Sequence, residues 1–237
     1  MSRSPEPRSS RRKEAPSEFP GPQLEPPYVG CHGAGVASAN SSRASRHQEL
    51  PAAADPKLRR AVFLDRDGVI NRALEREAKP YPPRTLAEFE ILPEVPDALA
   101  RLKSAGFLLV VATNQPDVGR GTLPREVVES IHAHLLAQLP VDRVEVCYHP
   151  GQGASDCDCR KPRPGMLRRA AAVLNIDLGR SWMVGDRWRD VDCGYAAGCR
   201  TIFIDRGYAE ELRRKPDFSA RHLGEAADII LAGLTNL

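Results

Sequence analysis

The sequence predicts an α/β fold in which a mainly parallel sheet is covered by helices on both faces. Three observations carry this prediction. Short apolar runs alternate with segments of helical periodicity along most of the chain, the pattern of parallel strands joined by helical crossovers. The runs are continuous rather than alternating, as strands buried on both faces require. Those with clear ends finish on small polar clusters, DRDG, TNQ and GDRWRD, and the carboxyl ends of parallel strands converge on one rim of a sheet.

The first strand, residues 61–64, ends at once in Asp65, Asp67 and Gly68. Residues 71–90, with KPYPPRTL at their centre, read as an irregular loop. Val95, Leu99 and Leu102 after Pro93 predict a helix that stops at Gly106. Residues 107–112 form a second strand, running into Thr113, Asn114 and Gln115. Pro124 opens a helix with Val127, Val128, Ile131, Leu135 and Leu136 on one face. A third strand at 141–147, a third helix at 166–174 and a short strand at 182–184 follow, the last ending in Gly185 and Asp186. A helix at 191–197, a strand at 201–204 and an apolar run at 229–231 complete the pattern. Residues 58–237 suit one domain. Residues 1–57 are dense in Pro, Ser, Gly and Arg and hold few large apolar side chains, so they are expected to be a disordered tail.

Composition excludes several classes. The chain of 237 residues is 41% hydrophobic and 27% charged, ordinary values for a globular protein. A net charge of +3 with acids and bases interleaved, and only 5% aromatic residues, give no reason to expect a nucleic-acid partner. No apolar run approaches the roughly 18 residues of a membrane span. No apolar segment follows the basic N-terminus as a secretory signal would require. A cytoplasmic monomer is expected.

Asp65 and Asp67 share one face of an extended chain. Alone, the pair reads as a solvated turn or as a site for a cation or proton transfer, because two like charges so close are costly without compensation. Asp186, at the end of a distant strand, converts the pair into a set of carboxylates suited to Mg²⁺. Thr113 and Asn114 offer a hydroxyl, an amide and backbone N–H groups to a phosphate, and Lys161 in CRKPRPG offers a point charge. Cys147, His149, Cys157 and Cys159 form C-x-H-x7-C-x-C immediately before Arg160 and Lys161, four ligands suited to a closed tetrahedral, structural Zn²⁺ site. Cys31, Cys193 and Cys199 remain, and an intracellular chain makes them free or buried thiols.

DRDGV, TNQ, RKPRPG and GDRWRD, in that order, resemble the four signature motifs of haloacid dehalogenase-like (HAD) phosphatases, over roughly residue 58 to the end. The resemblance implies a Rossmann-like three-layer sandwich. It also implies Asp65 as the nucleophile that takes the phosphoryl group, and Asp67 as acid to the leaving alkoxide and then base to water. Asp65, Asp186 and the backbone carbonyl of Asp67 would hold Mg²⁺, and Thr113 and Lys161 would bind the phosphoryl group. Arg66, between the two acids, points to the other face of the strand and need not enter the reaction. The zinc segment and TNQPDVGRG resemble the branch containing heptose-bisphosphate 7-phosphatases and histidinol phosphatases. That likeness implies no sizeable cap domain and a phosphorylated sugar or related metabolite as substrate, with Arg160 on its second phosphate. The leading expectation is removal of the 7-phosphate of D-glycero-D-manno-heptose 1,7-bisphosphate. Histidinol phosphate, a polynucleotide 3′-phosphate and an inactive binding role are the alternatives. Tyr148 stands where this branch commonly has proline, and Arg187 where some heptose enzymes have lysine.

Overall fold

The computed structural model describes residues 28–30, 58–76, 79–151 and 157–234. Its centre is strand β2 (Ala61–Leu64), whose four residues are fully buried. In the pleat, alternate residues point to opposite faces. Val62 and Leu64 therefore join one apolar cluster, and Ala61 and Phe63 the other. The first cluster takes in helices α1 (Val95–Ser104), α3 (Arg125–Gln138) and α6 (Leu223–Ala232); the second takes in α4 (Gly165–Leu174) and α5 (Trp188–Ala197). The result is the three-layer sandwich expected. Truncating Phe63 to Ala would open a cavity in the second cluster at a cost of about 3–5 kcal/mol.

Seven strands pair in the order β1-β6-β5-β2-β7-β8-β9, every neighbour parallel. The flanking strands are β5 (Leu108–Asn114), β6 (Arg143–Cys147), β7 (Trp182–Gly185), β8 (Arg200–Ile204) and β9 (Phe218–Ala220). Chain order reverses at β2: β5 lies on one side and β7 on the other, with Leu64 in register with Val111 and Val184. Such a switch point leaves a crevice at the carboxyl ends of the strands. DRDG, TNQ and GDRWRD all arrive there.

Several expectations need correction. Strand β1 (Tyr28–Gly30) lies inside the segment expected to be a tail and adds a parallel edge to β6; the rest of residues 1–57 lies outside the described residues. The supposed loop 71–90 contains an antiparallel hairpin, β3 (Leu74–Arg76) and β4 (Lys79–Tyr81), and a 3₁₀ turn at Leu86–Glu88. Pro80 argued against a strand, but a two-stranded ribbon leaves its nitrogen without a ladder partner to miss. The short helix α2 (Pro116–Gly119) and strand β9 were not anticipated, and the run at 229–231 is the last part of α6. Cys193 and Cys199 are buried free thiols, as expected; Cys31 lies outside the described residues. No described helix is long and apolar enough to cross a membrane.

Candidate active site

Asp65 leaves β2 with its backbone N–H still donating to Val184 O at 2.9 Å, so the strand ladder fixes the origin of its side chain. The chain then turns sharply. Arg66 O accepts from the N–H groups of Ile70 and Asn71 at 2.9 and 3.1 Å, and Gly68 N donates to Asn71 O at 2.8 Å. Gly68 sits at φ +85°, and a Cβ built on it would lie 1.9 Å from Asp186 Oδ2. Only glycine allows both that backbone and that approach.

Asp65, Asp186 and Asp190 each place a carboxylate oxygen within 4.8 Å of the others, all buried or nearly so. Lys161 is 2% exposed; its Nζ lies 2.8 Å from Asp65 Oδ1 and 2.6 Å from Asp190 Oδ1. Three carboxylates against one ammonium leave two negative charges uncompensated. Burial pushes the Asp65 carboxyl up to about 6, against the pull of Lys161. Burial, then Asp65 and Asp190, raise Asp186 well above the carboxylate range. For Lys161 burial opposes the charge, but Asp190 and Asp65 outweigh it and hold the ammonium above the lysine range. Asp186 Oδ1 is buried with no hydrogen-bond partner among the described residues. An oxygen-only set with a doubly negative deficit and an orphaned oxygen fits a divalent hard cation such as Mg²⁺.

Asp67 does something different. Its side chain stands outside this cluster and accepts from Arg66 (Nη2 to Oδ2 at 3.0 Å, Nε and Nη2 to Oδ1 at 3.2 and 3.1 Å), Asn71 (Nδ2 to Oδ1, 3.0 Å) and Gln115 (Nε2 to Oδ2, 2.9 Å). Arg66 points away from the cleft, to the opposite face from Asp65, as expected, yet its guanidinium reaches back to hold the Asp67 carboxylate. Like Leu64 two residues before it, Arg66 lies on the face covered by α3, where His132 meets it.

Thr113 and Asn114 end β5 beside this group. Thr113 Oγ1 accepts from Gln115 Nε2 at 3.0 Å. Asn114 is engaged otherwise than expected: Nδ2 donates to Lys161 O and Oδ1 accepts from Lys161 N, both at 3.1 Å. Its amide braces the lysine loop at two points, and the residue also lines the cleft. Asp190, in the first turn of α5, accepts from Arg187 N at 3.0 Å as an N-terminal cap. Sequence reasoning gave roles to neither Asp190 nor Gln115. The available signal was spacing: Asp190 lies one helical turn beyond Asp186, and Gln115 two residues beyond Thr113 on one face of an extended chain.

Above the carboxylates opens a cleft of ≈ 270 Å³, lined by Asp65, Asp67, Thr113, Asn114, Lys161 and Asp186 and by Tyr81 and Pro82 at the end of the hairpin. Arg120, Arg160, Arg187 and Arg189 form its basic wall. Arg187 pairs with Glu210, and Arg120 with Asp117 at 3.2 Å. The half-buried Arg160 guanidinium donates to His149 O at 3.3 Å, and burial lowers its pKa. Gly151, at φ +82°, passes so close that a Cβ there would lie 2.5 Å from Arg160 Nε.

His149 belongs to the Cys147–His149–Cys157–Cys159 cluster, whose ligand atoms all lie within 4.8 Å of one another. Cys147 Sγ is 3.3 Å from Cys159 Sγ and 3.9 Å from Cys157 Sγ, and His149 Nδ1 is 3.5 and 3.2 Å from Cys147 and Cys159. Bonds of about 2.3 Å to a tetrahedral ion put ligand atoms about 3.8 Å apart, close to these separations. Hydrogen bonding from Cys159, then His149, lowers the Cys147 thiol to about 5, toward the thiolate that binds metal. The four residues fit Zn²⁺.

Comparison with known proteins agrees with this geometry. The HAD-hydrolase-like family model matches residues 158–226. The D-glycero-beta-D-manno-heptose-1,7-bisphosphate 7-phosphatase of Pseudomonas putida is 38% identical over 160 residues, 65% of this chain and 87% of that protein. The Escherichia coli K12 protein of the same name is 38% identical over 158 residues, 62% of this chain and 78% of that one. Among solved structures, the D,D-heptose 1,7-bisphosphate phosphatase of B. bronchiseptica, complexed with magnesium and phosphate, superposes with a TM-score of 0.61 at 30% identity, covering 73% of this chain and 99% of that one. The Burkholderia thailandensis D,D-heptose 1,7-bisphosphate phosphatase gives 0.51 at 25% identity, with the same coverage. A parallel sheet with an acid-lined switch point, the ordered motifs and relatives of this likeness lead to one conclusion: the chain belongs to the heptose-bisphosphate 7-phosphatase family of HAD-like hydrolases, and it is a phosphatase.

Proposed function

We propose that the chain removes the 7-phosphate of D-glycero-β-D-manno-heptose 1,7-bisphosphate through an aspartyl-phosphate on Asp65. The observation that carries this reading is the pairing, in one small cleft, of a carboxylate–lysine centre with a separate arginine wall. A centre for one phosphoryl group beside cations for another suits a sugar bisphosphate better than a monophosphate. The names of the relatives support the same substrate.

In this reading Asp65 Oδ attacks phosphorus while the bond to the sugar oxygen breaks, and Asp67 delivers a proton to that oxygen. Asp67 then takes a proton from water as the water attacks phosphorus and frees Asp65. Lys161 orients Asp65 and the phosphoryl oxygens; Thr113, at the end of β5, binds an oxygen of the same group; Asn114 and Asp190 hold Lys161 in place. Asp65, Asp186 and the backbone carbonyl of Asp67 would hold Mg²⁺, which supplies charge neutralisation between nucleophile and phosphate. Arg160 would take the second phosphate. Zn²⁺ on Cys147, His149, Cys157 and Cys159 would be structural, tying down the segment on which Arg160 leans through His149 O.

The test is kcat/KM for phosphate release from the heptose bisphosphate, histidinol phosphate and a 3′-phosphorylated oligonucleotide. The reading expects the bisphosphate to lead by at least about tenfold, the size of one charge-assisted contact. A preference for histidinol phosphate would assign the arginine wall to another role.

A further inference from the structure

Behind Asp67, on the side away from the cleft, lies a buried pair that the reaction scheme leaves unused. Arg66 and His132 are each 0% exposed, and Arg66 Nη1 lies 3.0 Å from His132 Nε2. His132 comes from the middle of α3, on the face packed against the sheet. Guanidinium nitrogens only donate, so Nε2 accepts and the ring proton sits on Nδ1. Burial, then the Arg66 charge, pushes the imidazole well below the ordinary histidine range, so it stays a neutral acceptor at working pH. Arg66 in turn grips both oxygens of Asp67 through Nε and Nη2. Helix α3, the guanidinium and the carboxylate thus form one rigid line into the site.

We propose that His132 and Arg66 are positioning residues for Asp67, fixing the plane of its carboxyl against the leaving oxygen. The inference rests on Asp67 being the acid of the first step. A buried arginine costs several kcal/mol to desolvate unless its N–H groups are all met. The chain keeps one here rather than an apolar residue, and what it holds is Asp67. Packing alone would be satisfied by leucine at either place.

The experiment separates positioning from folding by leaving group. An alkyl phosphate needs a proton on its departing oxygen, whereas p-nitrophenyl phosphate releases a stable anion and does not. First-turnover release of each leaving group is measured with Mg²⁺ for the wild type, Asp67→Asn, His132→Leu and His132→Gln, with thermal unfolding of each. Gln places an amide oxygen near the position of Nε2 and restores an acceptor for Arg66. We expect His132→Leu, like Asp67→Asn, to slow alkyl release by about tenfold or more while p-nitrophenolate release stays within about threefold, and His132→Gln to recover most of the loss. Equal loss with both leaving groups, no loss with either, or no rescue by Gln overturns the proposal. If Asp67→Asn spares the alkyl ester, the acid assignment falls and this inference with it. If Asp67→Asn discriminates and His132→Leu does not, this inference alone falls.

Discussion

Replacing Lys161 by methionine keeps most of the stem's volume and removes the ammonium from between Asp65 and Asp190. At an effective dielectric of about 20, each unit pair is worth about 4 kcal/mol at 4 Å and more at these shorter separations. The ammonium's own desolvation takes much of this back, so the net loss on breaking such a buried set is about 3–5 kcal/mol. Its pH dependence is distinctive. Asp65 already titrates at about 6 in the folded protein, against 3.8 for an ordinary aspartate. Folding therefore binds protons in that window, and in metal-free protein this group's contribution to stability falls as pH rises from about 4 to 6. Without Lys161 the carboxyl titrates higher still, so the variant loses most where all three acids are ionised. Urea unfolding without Mg²⁺ should show a deficit of about 3–5 kcal/mol at pH 8 that shrinks by at least half at pH 5. A deficit equal at both pH values would mean that Lys161 acts through packing, and would refute the charge argument.

Asp186→Asn should raise the stability of metal-free protein by about 1–3 kcal/mol, since it removes a buried, like-charged carboxylate, and should abolish the rise in Tm that Mg²⁺ gives the wild type; calorimetry with and without Mg²⁺ measures both. Arg160→Met should weaken kcat/KM for the bisphosphate by about 10- to 100-fold, one or two charge-assisted hydrogen bonds, while a simple monophosphate changes by less than about threefold. Cys159→Ser should lower the zinc content from one equivalent per chain toward none by elemental analysis, and should reduce Tm even where Mg²⁺ saturates the catalytic centre.

How much of this was legible in the sequence follows from how far each residue's role depends on its neighbours in the chain. β2 and β5 were readable because strands buried on both faces leave an uninterrupted apolar run, and the acids that close those runs stand out. The clustering of Cys147, His149, Cys157 and Cys159 was readable because short-range spacing sets their approach. The hairpin at Leu74–Tyr81 was not, because a proline within a short polar segment reads as a loop rather than as a strand. The roles of Arg66 and Asn114 were missed for another reason. Each is decided by a partner far along the chain, His132 for one and the Lys161 backbone for the other. Local pattern carries no record of contacts across 66 or 47 residues. Asp190 is intermediate: its place in GDRWRD just before the expected helix 191–197 was visible, but its position inside α5 and its grip on Lys161 needed the sheet to bring two motifs together.

The central claim is that Asp65 carries the phosphoryl group between two half-reactions, and one measurement addresses it without dependence on the sugar. Asp67→Asn should still accept a phosphoryl group from p-nitrophenyl phosphate, whose leaving group needs no acid, yet hydrolyse the intermediate slowly for want of a base. Mixing this variant with the ester and Mg²⁺, quenching in acid and mapping peptides by mass should find one phosphoryl group on the peptide containing Asp65, with one equivalent of p-nitrophenolate released in the burst. A burst with the phosphoryl group on any other residue, or steady turnover with none bound, would contradict the account.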